Sequence, residues 1–225
     1  MRTVRIPGKV MLSGEYAVLH GGTAVLVPVP RYLTITEAQS TDPDQQSPVI
    51  RAALDFPLKE TEEFEREHCL PGVLINHSEF FSKDASGNLV KLGLGSSAAE
   101  AVGIIALRLE RAGLGWSENR ETIATYADKV HRRVQGGIGS GADIAVCAYR
   151  EPVSFKRDLD TCTTTSIHKP KYNIPLHLAW TGQPADTRRL VRDFDTWLSH
   201  VESGADDPLS NLVESSREIA DVWFQ

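Results

Sequence analysis

The chain has 225 residues, 41% of them hydrophobic and 24% charged, which is enough apolar material for one large or two small domains and rules out a disordered or collagen-like chain. Lys and Arg number 24 against 30 Asp and Glu, a net charge of −6, so the broad positive field of a nucleic-acid binder is missing and an anionic ligand must be caught by local groups. The longest nearly uncharged apolar run, Ala98 to Leu107, contains Glu100 and stops at Arg108, well short of the roughly 18 to 20 apolar residues a membrane span requires.

Met1 to Pro7 has no apolar leader core and no small-residue cleavage site, which predicts a cytoplasmic protein. Cys69, Cys147 and Cys162 are odd in number and lack C-x-x-C spacing; reduced thiols are expected, not a disulfide framework or a thiolate metal site. Short β-like runs open the chain: Val4 to Ile6, a loop at Pro7-Gly8-Lys9, then Thr23 to Val27 and Tyr32 to Thr36. Thr41 to Leu70 is acidic and divided by Pro43, Pro48 and Pro57, and reads as a solvated helix and loop excursion. Val73 to Asn76 and Phe80-Phe81 predict strand, and Asp84 to Asn88 a turn that delivers the chain through Leu89-Val90 to Gly93.

Beyond Gly95 the period becomes helical. Ala98, Ala101, Val102, Ile105 and Leu109 share a face, and Gly113 closes the run. Ser117 is expected to cap a second helix reaching Val134, apolar at Ile123, Ala127, Val130 and Val134, and basic at Arg120, Lys129, His131, Arg132 and Arg133. Strands are expected at Val153 to Phe155 and Leu176 to Ala179, then helices from Thr187 to Leu198 and Leu209 to Phe224.

Three stretches have chemical content. Gly93-Leu94-Gly95-Ser96-Ser97-Ala98-Ala99 is a glycine-rich turn entering a helix, where backbone N–H groups and the helix dipole favour a phosphate and the serines offer hydroxyls to phosphate or Mg²⁺. A plain turn capped by Ser96 or Ser97 is the simpler reading. The same residues satisfy G-x-G-x-x-A, but a second helix follows where a dinucleotide fold needs a strand with an acidic tip. In Pro7 to Gly22, Lys9 can reach a phosphate, and Glu15 can hold Lys9 or a substrate hydroxyl. In Gln135 to Asp143 the carboxylate of Asp143 can accept a proton, bind Mg²⁺ or cap the next helix.

Taken in this order and separation, the three stretches resemble the GHMP superfamily of galactokinase, homoserine kinase, mevalonate kinase and phosphomevalonate kinase. The sequences Ser13-Gly14-Glu15-Tyr16-Ala17-Val18-Leu19, Lys91-Leu92-Gly93-Leu94-Gly95-Ser96-Ser97, His131 to Gly137 and Trp180 to Ala185 look most like its phosphomevalonate kinase branch. The resemblance implies an α+β two-domain fold: a ribosomal S5 domain 2-like N-terminal domain over 1–170, and a ferredoxin-like C-terminal domain beginning at 171–225 and incomplete there. It implies ATP and Mg²⁺, a small phosphorylated substrate, neither nucleic acid nor membrane as partner, and a monomer or homodimer.

By residue, the resemblance assigns Asp143 and Lys9 to catalysis, and Lys91 with Gly93 to Ala99 (Gly93, Leu94, Gly95, Ser96, Ser97, Ala98, Ala99) to ATP. It assigns Lys9, Gly14, Glu15, Tyr16, His131, Gln135, Ser140 and Gly141 to substrate, and Ser97 and Asp143 to the metal. Arg132, Arg133, Arg188 and Arg192 are further candidate cations, with an ordinary solvated face as the plainer account of the last two. The expected reaction is ATP-dependent conversion of 5-phosphomevalonate to its diphosphate; another small-molecule kinase activity, or a noncatalytic nucleotide binder, is the alternative. Two departures stand out. Val130 to Val134 lacks the Mg²⁺-binding glutamate of mevalonate-kinase-like relatives, and no third glycine-rich motif precedes Gln225.

Overall fold

The computed structural model describes residues 1–40, 46–84, 86–137, 139–157, 164–167, 175–182, 187–201 and 207–224, with backbone alone for 164–167, 187 and 188. Its elements are α+β, as expected. β1 (Thr3–Ser13) and β2 (Thr23–Ala38) form a long antiparallel pair. The other edge of β2 takes β6 (Val153–Lys156) at its start and β3 (Gly72–Asn76) at its end, and β7 (Thr164–Ile167) pairs with β6. A separate hairpin joins β4 (Phe81–Lys83) to β5 (Leu89–Lys91).

β1 corrects the expected loop at Pro7-Gly8-Lys9. The strand runs through it, with register shifts between Pro7 and Gly8 and again between Met11 and Ser13. Such irregularities bend a strand and re-aim its side chains without ending it. The two runs expected at 23–27 and 32–36 likewise join into the 16-residue β2.

Helices α3 (Ser96–Arg111), α4 (Arg120–Val134) and α5 (Ala142–Tyr149) supply the main core. Every residue of α3 from Ala98 to Leu109 is buried, the pattern of a helix covered on all sides rather than along one stripe. Gly103 lies so close to β1 and β2 that a Cβ there would stand 2.5 Å from Ile6 Cδ1 and 2.6 Å from Ile35 Cδ1. The cap of α4 is Asn119, with no side-chain capping bond, in place of the expected Ser117.

The acidic excursion forms α1 (Pro48–Leu54) and α2 (Glu62–Glu67). Two charged residues of α3 anchor it. Buried Arg108 donates to Glu65 at 2.7 and 2.6 Å and to the carbonyls of Ala53 and Phe56 at 2.7 Å each. Glu100 accepts from the Ser47 hydroxyl at 2.6 Å and meets His77 Nε2 at 2.8 Å. Both are therefore structural groups with satisfied partners.

Near the C-terminal end come α6 (Thr187–Ser199) and α7 (Pro208–Phe224), both expected. Ser216 of α7 accepts from the backbone N–H of Thr23 at 3.0 Å, which fastens that helix to the start of β2. Residues 176–179, expected as strand, have no regular structure. The expected domain boundary at 170/171, Cys162 and Gln183 to Asp186 lie outside the described residues, as does Ile138. No described helix is long and apolar enough to cross a membrane.

Candidate active site

β1, the segment from Glu15 to Leu19, the end of α4, the loop before α5 and α6 line a cavity of about 370 Å³, and none of Gly93 to Ala99 is in that lining. The glycine turn that precedes α3 lies against Lys9 instead. Gly95 is its left-handed cap residue, with φ 79°, and Ser96 and Ser97 are the first two helical residues. Neither serine caps the helix, so the simple capping account fails and both hydroxyls are left for other partners. Ala98 and Ala99 are buried in the core and can offer a ligand only backbone groups.

Lys9 reaches this turn from the bent stretch of β1. Its backbone N–H donates to Leu94 O at 3.0 Å, and its stem crosses the bare face of Gly95, where a Cβ would lie 2.9 Å from Lys9 Cε. Its ammonium then meets Asp143 Oδ1 at 2.8 Å. The partner is thus Asp143, not Glu15, which corrects one of the two roles expected for Glu15. The lysine side chain is only 16% exposed, whereas Asp143 is 34% exposed. Water competes weakly with such a pair.

Asp143 stands in the first turn of α5, behind Gly141 rather than at the cap itself. The loop before it is held from outside: Arg157 donates to the carbonyls of Ser140 and Gly139 and to Asp128 Oδ2 at 3.1 Å. Sequence reasoning missed Arg157 and Asp128, which lie beyond β6 and in α4 with no motif around them.

His131 and Gln135, four residues apart on α4 and just beyond it, face the same cavity. His131 Nε2 lies 2.6 Å from Ser97 Oγ and 3.0 Å from Gln135 Nε2. Burial pushes the His131 imidazole below its ordinary pKa, against an opposing pull from Asp143, Asp128 and Glu100. That shift disfavours the charged ring.

Of the residues expected to touch substrate, Lys9, Glu15, Tyr16, His131, Gln135, Ser140 and Gly141 line the cavity together with Asp143 and Arg132. Gly14 is buried behind it, and Lys91 is exposed at the end of β5, outside the lining. Arg133 is exposed, as is Arg192, and Arg189 pairs with Asp193 at 3.6 Å. The side chain of Arg188 lies outside the described residues.

An apolar wall completes the cavity: Met11, Val18, Leu19 and, from α6, Leu190 and Val191. Tyr16 ties α6 to it, its ring stacked on Phe194 with centroids 4.4 Å apart. That residue has φ 61° and ψ −46°, a conformation which costs a non-glycine residue of order 1 to 3 kcal/mol. The wall was missed because its residues come from two distant segments. The spacing of Leu190, Val191, Phe194 and Leu198 along α6 was the available signal.

Residues 61–151 match the family model of the GHMP kinases N terminal domain. Over that stretch the chain is similar to the N-terminal domain of the GHMP kinases. The relatives it matches are phosphomevalonate kinases: one from a Streptomyces species, 26% identical over 85% of this chain, and one from Saccharolobus solfataricus, 28% identical over 86%. The chain spans less than two thirds of their lengths, 65% and 62%. Among solved structures, Streptococcus pneumoniae phosphomevalonate kinase in complex with phosphomevalonate and AMPPNP has the same fold, with a TM-score of 0.69 at 20% identity over 97% of this chain and 71% of that one. Methanococcus jannaschii mevalonate kinase does too, with a TM-score of 0.62 at 18% identity over 98% and 71%.

Proposed function

We propose that the chain transfers the terminal phosphoryl group of ATP to the phosphate of 5-phosphomevalonate, giving 5-diphosphomevalonate and ADP. The observation that carries this reading is the Lys9–Asp143 pair, held at 2.8 Å between the glycine turn before α3 and the cavity. The relatives' names favour the phosphorylated acceptor over other small alcohols.

In this reading the turn from Gly93 to Ser97 takes the nucleotide phosphates on backbone N–H groups at the start of a 16-residue helix. Glu15, Tyr16, Gln135, Ser140 and Gly141 shape the acceptor side, and Arg132 adds a cation there. An acceptor phosphate is already largely ionised at neutral pH, so it needs alignment and charge neutralisation more than removal of a proton. Lys9 supplies the positive charge. Asp143 keeps that ammonium over the cavity and balances its charge when no substrate is present.

Ser97 Oγ and the Asp143 carboxylate are oxygen donors of the kind Mg²⁺ accepts, and among the described residues no group of three His, Cys, Asp or Glu could hold an ion unaided. Those two residues would hold Mg²⁺ with the nucleotide phosphates and water, and the ion would neutralise charge on the transferring group.

The test is ADP release from Mg-ATP with 5-phosphomevalonate, mevalonate or no acceptor, on one preparation. Turnover with 5-phosphomevalonate alone is expected. Turnover with mevalonate instead would reassign the acceptor, and silence in all three arms would refute the kinase reading.

A further inference from the structure

The Lys, Arg, Asp and Glu side chains that line the cavity are Lys9, Arg132, Glu15 and Asp143. Lys9 and Asp143 offset each other across 2.8 Å, whereas Arg132 and Glu15 have no ion-pair partner among the described residues. Arg132, in the last turn of α4, gives one N–H to the carbonyl of Gly137 at 3.3 Å, which leaves most of its donors unused.

The loop beside Arg132 has its acceptors occupied. Arg157 donates to the carbonyls of Gly139 and Ser140, and Arg132 itself donates to that of Gly137. Ser140 Oγ accepts from the N–H of Ala142 at 3.2 Å, so its own proton is left to donate. This rim of the cavity therefore offers a ligand a guanidinium and a hydroxyl proton, with three carbonyls engaged elsewhere. A phosphate monoester, which carries about −1.5 to −2 at pH 7, matches that set, and the planar fork of an arginine suits its oxygens.

We propose that Arg132 binds the phosphate of the acceptor and is the residue that selects a phosphorylated acceptor over a free alcohol. Glu15 comes from a different segment, after β1. A carboxylate repels a phosphate and accepts from a hydroxyl, so the phosphate belongs on the α4 side of the cavity. That is also the side of the glycine turn, since the neighbouring His131 lies 2.6 Å from Ser97 at the start of α3. The phosphate that receives the transferred group must face that way. The proposal rests on the kinase reading for the direction of transfer, whereas recognition of the phosphorylated acceptor can be measured without turnover.

The first arm of the test is calorimetric titration of the full chain with 5-phosphomevalonate, mevalonate and ATP, in wild type, Arg132→Gln and Arg132→Lys. Arg132→Gln should weaken 5-phosphomevalonate by roughly 10- to 100-fold, as loss of a hydrogen-bonded charge does. Arg132→Lys should weaken it less, because it keeps the charge and loses the fork. Affinities for mevalonate and ATP should stay within a few-fold. Unchanged binding of 5-phosphomevalonate, an equal loss for mevalonate, or a wild type that does not bind 5-phosphomevalonate would overturn the proposal.

The second arm is kinetic. In the ADP-release assay Arg132→Gln should raise the KM for 5-phosphomevalonate by about the same factor, with kcat and the KM for ATP changed far less. The wild-type KM should rise with ionic strength, and that of Arg132→Gln more weakly, because salt screens the lost charge. A fall in kcat at constant KM, with the salt dependence intact, would reduce Arg132 to a tether of the loop through Gly137 and overturn the proposal. An inactive wild type that still binds 5-phosphomevalonate through Arg132 would refute the kinase reading and leave the assignment of Arg132 standing.

Discussion

Replacing Gly95 by alanine tests the link between backbone conformation and the charged pair. Gly95 has φ 79°, and an L-residue held in that region costs about 1 to 2 kcal/mol. The added methyl would also lie 2.9 Å from Lys9 Cε and 3.0 Å from Cγ, closer than carbon atoms tolerate. The lysine backbone cannot yield, being bonded to Leu94 O at 3.0 Å. The stem must move, and the 2.8 Å contact with Asp143 must stretch with it.

Removing one preorganised charge-stabilising group costs on the order of 10² to 10³ in turnover. A displaced group should cost less, roughly 10- to 100-fold. Gly113→Ala is the control for strain: its φ is 83°, with nothing within 4 Å of the added carbon and no part in the site. Urea unfolding should show both variants destabilised by a similar amount, while only Gly95→Ala loses turnover in the ADP-release assay. In a Lys9→Ala background the Gly95 change should have little further effect on turnover. Full activity of Gly95→Ala, or an equal loss in Gly113→Ala, would refute the reasoning.

Asp143→Asn should lower turnover by about 100-fold or more with ATP affinity within a few-fold, since the lost charge orients Lys9 during transfer rather than holding nucleotide; calorimetric ATP binding beside steady-state kinetics measures the split. Arg108→Met would strip donors from Glu65 and from the carbonyls of Ala53 and Phe56, costing about 3 kcal/mol and lowering Tm by roughly 6 to 12 °C. Gly103→Ala should destabilise by about 1 kcal/mol net, overpacking against Ile6 and Ile35 outweighing the better helix propensity, and Ile6→Val in the same chain should relieve it. The depressed pKa of buried His131 implies stability that is fully present above the ordinary imidazole value of about 6.5 and is lost as pH falls through the lower folded-state value. Urea midpoints from pH 5 to 8 should therefore rise more steeply with pH in the wild type than in His131→Gln.

Periodicity located α3 and α4, because an apolar face at helical spacing leaves a mark in sequence that neighbours cannot disguise. Cap and strand limits were less legible. Pro7 and Gly8 look like a loop, yet a strand can absorb them through a shift in register when its partner is as long as β2. The glycine turns were found as candidate sites, and Lys9, Asp143 and His131 were named, but their pairing was not. Glu15 lies near Lys9 in sequence and Asp143 far from it, and only tertiary structure brings the second within 2.8 Å. The same holds for Arg157, whose contacts with Ser140, Gly139 and Asp128 no local pattern announces.

The glycines of the two site turns therefore have a purpose beyond admitting a phosphate. At Gly95 the missing side chain makes room for the stem of Lys9. At Gly141 a Cβ would stand 2.5 Å from Asp128 Oδ1 and 3.2 Å from Arg157 Nη1, so the missing side chain makes room for the pair that fixes the loop before Asp143. One glycine thus admits the cation and the other admits the brace behind its carboxylate partner. A glycine-rich motif that reads as a phosphate cradle is, in this fold, equally a condition for assembling the charged pair beside it.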